Sequence, residues 1–190
     1  MTREQFKAWV QEIDPANTEY ILTDGDILRQ YQNYLSWKNK DSINVQMAKD
    51  FGRNVDERCE HIAENALKAL EETIRKYNEY HLTPANAKVG DGATVYLYTD
   101  SHAGTIVKVT KCTVTVRRDK AIIDPNFKPE FILGGFCAHC TNQNEQRYTY
   151  EPNENGELTT VYWSKKYNRY GQPGDIHLGK GRHEFYDYNF

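Results

Sequence analysis

The sequence predicts an α+β protein, with a helical N-terminal region followed by a small antiparallel β-barrel-like domain. Apolar residues up to residue 84 recur at the three- and four-residue steps of a helix, whereas later ones alternate with period two. Ten of the 12 glycines and five of the 6 prolines lie from Pro84 onward, and both residue types favour turns over helix interiors. We therefore divide the 190 residues into an acidic helical domain, 1–84, and an aromatic-rich β domain, 85–190.

Capping residues mark the starts of three helices before residue 53. Thr2 and Gln5 fit a capping box, in which each side chain satisfies a backbone N–H of the other. The apolar face that follows at helical spacing comprises Phe6, Trp9, Val10 and Ile13. Caps for a second helix are offered by Thr23, Asp24 and Asp26, and its face by Ile27, Tyr31, Tyr34 and Leu35. Asp41 and Ser42 offer caps for a third helix that runs to Gly52.

The strongest helical pattern spans about residues 54–80. Its apolar stripe, at steps of three and four, comprises Val55, Cys59, Ile62, Ala66, Leu70, Ile74 and Tyr77. At about 1.5 Å per residue this helix is roughly 40 Å long, which is more than a small domain covers alone. Two interpretations stay open: the other helices cover the stripe, or the stripe is the seam of a homodimer.

The second half of the chain predicts several short strands. One apolar face of period two comprises Val95, Leu97 and Thr99, and another comprises Cys112, Val114 and Val116, after a tight turn at Thr110 and Lys111. Tyr148 and Tyr150 precede the Asn155-Gly156 pair, which is a strong turn signal, and 158–163 is predicted to be the strand that returns beside them. The aromatic segment 182–190 predicts a last strand. Short strands with Gly-rich turns indicate a strongly bent sheet or barrel of Src-homology-3-like type.

Charge and composition exclude several classes of protein. The chain carries 24 Lys+Arg against 27 Asp+Glu, which excludes both a globally basic nucleic-acid coat and an extreme acidic mimic of DNA. The net charge is −4 over 1–84 and +1 over 85–190. An aromatic content of 13% argues against disorder. Because no apolar run approaches ~20 residues and the N-terminus lacks a signal-peptide core, we expect a cytoplasmic protein with no membrane segment.

Cations beside aromatic rings form the clearest candidate binding surface. The segment 163–170 suits nucleic acid, because phosphates need positive charge and bases stack on rings. The same residues suit an acidic protein surface, and the structural alternative is a solvated loop whose rings cover the core. The predicted nucleic-acid- or partner-binding residues are Arg117, Arg118, Lys120, Lys165, Lys166, Tyr167, Arg169, Tyr170 and Arg182. The carboxylates predicted to meet a basic protein surface are Glu57, Glu60, Glu64, Glu71 and Glu72.

The most metal-like group is Cys137, His139 and Cys140, since thiolates and imidazole are zinc ligands. No second cysteine pair accompanies it, so a closed site needs His102 or His183 as the fourth ligand. We therefore expect no metal and no cofactor, with cysteines that pack as small apolar groups in a loop. A zinc-dependent enzyme built around these three residues is the alternative.

Two histidines have acidic neighbours in the sequence. His102 lies near Asp100, and His183 lies beside Glu184, an arrangement that can orient an imidazole as a general base. No nucleophile elbow, phosphate loop or metalloprotease motif completes a mechanism. We therefore predict a non-enzymatic protein in which both histidines brace turns and strand edges.

The second half resembles a group of small proteins from phages and prophages of Gram-positive gut and soil bacteria, mostly of unknown function. The segments that carry this resemblance are 89–94, 98–107, 116–121, 134–136, 146–153 and the closing GRHEFYDYNF at 181–190. This chain departs from the group by its helical half and by a Thr110-Lys111 turn in place of Asn-Gly. An acidic helical segment joined to a phage module resembles an accessory protein that counters host defence.

The resemblance and the charge distribution together predict a non-catalytic inhibitor of a bacterial defence system. The expected target is an RNA-guided nuclease, whose nucleic-acid-binding or activation surface an anti-CRISPR would block. The expected partners are that host protein, nucleic acid, or both. The alternative from a different class is a small-molecule sponge, in which a Tyr-lined pocket between protomers captures a cyclic nucleotide.

Overall fold

The computed structural model describes residues 1–39, 42–50, 55–134, 138–172 and 174–189, and of residues 50 and 55–57 the backbone only. The chain divides into two compact units, Met1–Glu79 and Tyr80–Phe190. N-terminal helices precede a nearly closed antiparallel barrel-like sheet, which confirms the predicted fold class. Among the described helices, none combines the length and the apolar character that a membrane span requires.

The described N-terminal part forms five α-helices: α1 Arg3–Ile13, α2 Thr18–Ile21, α3 Gly25–Lys38, α4 Ile43–Asp50 and α5 Val55–Tyr80. The capping box of α1 forms as expected, since the Thr2 hydroxyl accepts from the Gln5 amide and the Gln5 side chain accepts from the Thr2 amide. Asp24 caps α3 by accepting from the amides of Asp26 and Ile27. The four-residue α2 is too short to show a periodic pattern, so the sequence did not predict it.

The apolar stripe of α5 packs inside the helical unit. Leu70 and Ile74 are fully buried, and the Phe6 and Tyr31 rings stack with centroids 4.0 Å apart in the same core. The buried members of this core are Phe6, Val10, Ile21, Ile27, Tyr31, Tyr34, Ala63, Leu70, Ile74 and Tyr77. The chain's own helices therefore cover the stripe at Ala66, Leu70, Ile74 and Tyr77, and a homodimer seam stays a prediction.

The described part of the second unit forms ten strands: β1 Gly92–Tyr96, β2 Ser101–Val109, β3 Thr113–Arg118, β4 Lys120–Ile123, β5 Phe131–Ile132, β6 His139–Cys140, β7 Tyr148–Glu151, β8 Leu158–Ser164, β9 Arg169–Tyr170 and β10 His177–Lys180. Six of them form one antiparallel sheet in the order β10-β1-β2-β3-β8-β9. The pairs β4–β7 and β5–β6 form two further two-stranded sheets. The buried core of this unit comprises Leu82, Ala93, Val95, Ile106, Val114, Val116, Val161, Tyr170 and Leu178.

The six-stranded sheet approaches closure where β9 meets β10. An isolated bridge pairs Gly171 with His177, which brings the two edge strands of the sheet together. Gly171 has a φ of 96°, and a Cβ atom there would lie 2.2 Å from the carbonyl oxygen of Ile176. Only glycine therefore fits this position without a backbone shift.

Three expectations for the strands are wrong. β8 does not return along β7: β7 pairs with β4, and β8 pairs with β3, so the Asn155-Gly156 turn joins two segments of one long ribbon. The closing segment 182–189 forms a single bridge, from Phe185 to Ser101, in place of a strand. Cys112 is exposed in the turn before β3 and does not belong to its apolar face.

Candidate functional site

The basic–aromatic segment 163–170 forms the end of β8, a four-residue turn and β9. Lys165, Lys166 and Tyr167 are exposed in the turn, and the Lys166 ammonium lies 5.0 Å from the centroid of the Tyr167 ring. Tyr170 is fully buried and meets the Trp163 ring edge-on, with centroids 5.1 Å apart. Because Tyr170 is buried in the barrel core, the prediction that it contacts a partner is wrong. Lys165 and Lys166 are exposed, so a partner can reach them.

Arg169 lies inward of these lysines and is half-buried. Its Nε atom is buried and has no hydrogen-bond partner among the described residues. The pKa of His177 is lowered, first by burial and then by the charge of Arg169. The Tyr96 ring stacks on the His177 ring at 4.9 Å. Arg169 therefore belongs to the junction where β9 meets β10 more than to the exposed turn.

Three of the other predicted cations pair with carboxylates of the same unit. Arg182 Nε donates to Asp119 at 2.7 Å, and Arg118 Nη2 donates to Glu184 at 3.1 Å. Lys120 pairs with Glu151 at 3.3 Å on the exposed β4–β7 ribbon. Because a carboxylate neutralises each of these three cations, they offer little net charge to an anionic partner. Arg117 is half-buried on β3 and forms no ion pair with a described carboxylate.

Glu184 is the centre of a hydrogen-bond network that holds the closing segment. Its carboxylate accepts from the Ala103 amide at 2.7 Å and lies 3.2 Å from His102 Nδ1. His183 Nδ1 lies 3.1 Å from the hydroxyl of Ser101, a residue that is only 3% exposed. A hydroxyl this buried is out of reach of a substrate. The geometry of both histidines is that of braces between β2 and the closing segment.

Four lysines gather at the end of the barrel where β2 turns into β3 and β8 turns into β9. Thr113 pairs with Tyr162, and the Trp163 amide donates to the Cys112 carbonyl, so the two turns lie side by side. We call this surface the lysine end, and it comprises Lys108, Lys111, Lys165 and Lys166. All four are exposed, and none forms an ion pair with a carboxylate of the described chain. Lys108 and Lys111 are not among the binding residues predicted from the sequence, although the tight turn predicted at Thr110 and Lys111 places Lys111 at this end of the barrel.

A cleft of about 400 Å³ runs along β8 beside residues 159–164. One wall is β8, which contributes Tyr162 and Ser164. The other wall comprises Gly171, Gln172, Asp175 and Ile176. Tyr162 is 70% exposed. The cleft thus combines one accessible ring with several polar groups.

The predicted acidic surface lies on α5. Glu60 and Glu64 are exposed, and neither forms an ion pair with a described cation. Glu71 pairs with Arg75 at 2.6 Å and Glu72 with Lys76 at 2.5 Å, one helical turn away. The hydrogen bond from Lys76 lowers the pKa of Glu72. The side chain of Glu57 lies outside the described residues.

The metal-like group is described in part, because Cys137 lies outside the described residues. Cys140 is buried, and its thiol lies 3.5 Å from the side-chain oxygen of Asn142. The Asn189 side chain accepts from the Cys140 amide and donates to its carbonyl, at 2.6 and 3.2 Å. Over the described residues, no three His, Cys, Asp or Glu side chains are grouped to hold a metal ion.

Comparison with protein-family models gives no match. Comparisons with curated proteins and with solved structures give no significant match either.

Proposed function

We propose that this protein is a non-catalytic binding protein whose β unit contacts nucleic acid through the lysine end. The observation that supports this most is the difference between two groups of cations. Arg118, Lys120 and Arg182 have carboxylate partners, whereas the lysine end has none among the described residues. Unpaired cations attract phosphates, because each contact releases condensed counterions.

The helical unit supplies the second contact of this proposal. Glu60 and Glu64 are exposed carboxylates on α5 without an ion pair in the described chain, and they suit a basic protein surface. Proteins that handle nucleic acid carry such surfaces. With the resemblance to phage proteins, this makes a bacterial defence nuclease the proposed target, as for an anti-CRISPR that blocks an RNA-guided enzyme.

The nucleic-acid contact is tested by titrating a labelled 20-base-pair duplex at several salt concentrations. The variant Lys165→Ala/Lys166→Ala should bind more weakly. The plot of log K against log salt should become less steep, by as much as about 0.9 for each lysine. The matched control is Lys120→Ala/Lys128→Ala, which removes the same charge from exposed sites of the β unit. Equal losses in the two variants would contradict a contact at the lysine end.

The inhibitory role is tested in a DNA-cleavage assay with an RNA-guided nuclease and increasing amounts of the protein. We expect the wild type to slow cleavage, and Glu60→Gln/Glu64→Gln to weaken that effect, because the variant removes charge without changing side-chain size. Replacement of the exposed Glu145 and Glu154 by Gln is the charge-matched control. Undiminished cleavage across a panel of such nucleases would contradict this target class.

A further inference from the structure

Tyr162 lies on the outward face of the barrel with its ring in solvent. Along β8 the side chains alternate, so that Val161 is buried while Leu158 and Tyr162 are 56% and 70% exposed. The Tyr162 hydroxyl has no hydrogen bond within the described residues. An exposed aromatic ring on a sheet face offers a flat apolar surface that water solvates poorly.

The ring is adjacent to the lysine end. Tyr162 precedes Lys165 by three residues, a distance of about 10 Å along an extended chain. Lys108 lies in register with Thr115, and Thr115 with Thr160, so the Lys108 side chain shares the outward face of Tyr162. The Thr115 and Thr160 hydroxyls are 2.8 Å apart, which fixes the strands between them. One surface thus presents a ring and several cations within the span of a few nucleotides.

The cleft beside the ring carries polar groups of a different kind. Ser164 and Gln172 can donate and accept hydrogen bonds, and Asp175 can only accept them when ionised. The Asp175 carboxylate accepts from the Ile176 amide at 2.7 Å, which orients it. A negative charge in the cleft disfavours phosphates there. Base edges, in contrast, carry amino groups that can donate hydrogen bonds to a carboxylate. The lysine end therefore suits phosphates, and the cleft along β8 suits a base.

We propose that the lysine end and Tyr162 together bind single-stranded nucleic acid, with phosphates at the lysines and a base stacked on the Tyr162 ring. This inference rests on the proposed nucleic-acid contact and specifies its substrate class. A single strand is the form that the ring can use, because its bases are free to leave the stack. In a duplex each base is already stacked and paired, so an exposed ring gains little from it.

The test measures binding of a labelled 12-nucleotide single strand and of the matching duplex by fluorescence anisotropy. Tyr162→Ala should weaken binding of the single strand about tenfold and leave binding of the duplex within about twofold. Tyr162→Phe should bind like the wild type, because stacking needs the ring and not the hydroxyl. The matched control is Tyr98→Ala, which removes a ring that is 86% exposed in the β1–β2 turn. Circular dichroism checks that each variant keeps its fold.

The outcomes separate this inference from the proposed function. Selective loss of single-strand binding in Tyr162→Ala, rescued by Tyr162→Phe, supports stacking. If Tyr162→Ala binds both probes like the wild type, while Lys165→Ala/Lys166→Ala loses both, the base site is wrong and the lysine contact remains. If Tyr162→Phe is as weak as Tyr162→Ala, the hydroxyl and not the ring is needed, which also overturns stacking. If the wild type binds neither probe, the proposed nucleic-acid contact itself is contradicted.

Discussion

Arg182 Nε donates a 2.7 Å hydrogen bond to Oδ2 of Asp119, a carboxylate that is only 3% exposed and lies 63 residues earlier in the chain. The same guanidinium donates from Nη2 to the Thr105 hydroxyl, which in turn donates to Asp119 at 2.8 Å. Asp119 separates β3 from β4, so this pair fixes the closing segment to the middle of the long ribbon.

Replacing Arg182 by Ala should destabilise the β unit. The change leaves the Asp119 carboxylate buried without its cation, which costs about 3 kcal/mol for a buried pair. Because the Arg182 side chain is one-third exposed, we expect a loss of about 2 kcal/mol in the free energy of unfolding. The measurement is denaturant unfolding followed by circular dichroism. Lys120→Ala breaks the exposed pair with Glu151 and should cost less than about 1 kcal/mol, so equal losses would contradict a structural role for Arg182.

Replacing Gly171 by Ala should disrupt the junction of β9 and β10. The new Cβ would meet the Ile176 carbonyl, and the backbone φ of 96° disfavours any L-residue. We expect a loss of about 3 kcal/mol in the free energy of unfolding. Gly174→Ala is the matched control, since its φ of 76° is also positive but no atom lies within 4 Å of the new Cβ. A Gly171→Ala loss no larger than that of the control, about 1 kcal/mol, would show that the bridge to His177 does not need this close approach.

Stability should fall in mild acid because of His177. Burial, and then the nearby Arg169, lower its pKa below the ordinary value of 6.5. The unfolded chain therefore binds a proton more readily than the folded one, so the contribution of His177 is complete above pH 6.5 and decreases as the pH falls below it. The free energy of unfolding at pH 7.5 and at pH 5 should differ less in His177→Gln than in the wild type. His61→Gln on α5 is the control and should keep the pH dependence of the wild type. If the pH dependence of stability in His177→Gln equals that of the wild type, the assignment to His177 is contradicted.

Leu70→Ala should destabilise the helical unit by about 3 kcal/mol in denaturant unfolding, because it leaves a cavity at a fully buried position.

Thermal unfolding of the wild type at several protein concentrations tests whether α5 forms a homodimer seam. If the helices of one chain cover α5, as the core of this unit indicates, Tm should not change with concentration. A Tm that rises steadily with concentration would instead support the homodimer seam.

The sequence predicted the local features of this fold well. Capping by Thr2 and Asp24 and the buried face of α5 follow from contacts between residues three or four apart, which a pattern shows directly. Strand alternation likewise placed Val114 and Val116 in the core.

The pairing of distant segments was not predictable in the same way. β7 pairs with β4 because the long ribbon continues past Asp119, and no local signal distinguishes this from a β7–β8 hairpin. The sequence predicts Arg118 and Arg182 as binding residues because it does not show their carboxylate partners, which lie 66 and 63 residues away. Tyr162 could have been found, because the alternation that buries Val161 turns Tyr162 outward.

The most direct test of the central claim is an amide chemical-shift map of the isotope-labelled protein titrated with a 12-nucleotide single strand. We predict that the shifted amides cluster at 108–113 and 160–168, around the lysine end and Tyr162. Shifts confined to 118–123 and 182–184, or to the acidic face of α5, would contradict it.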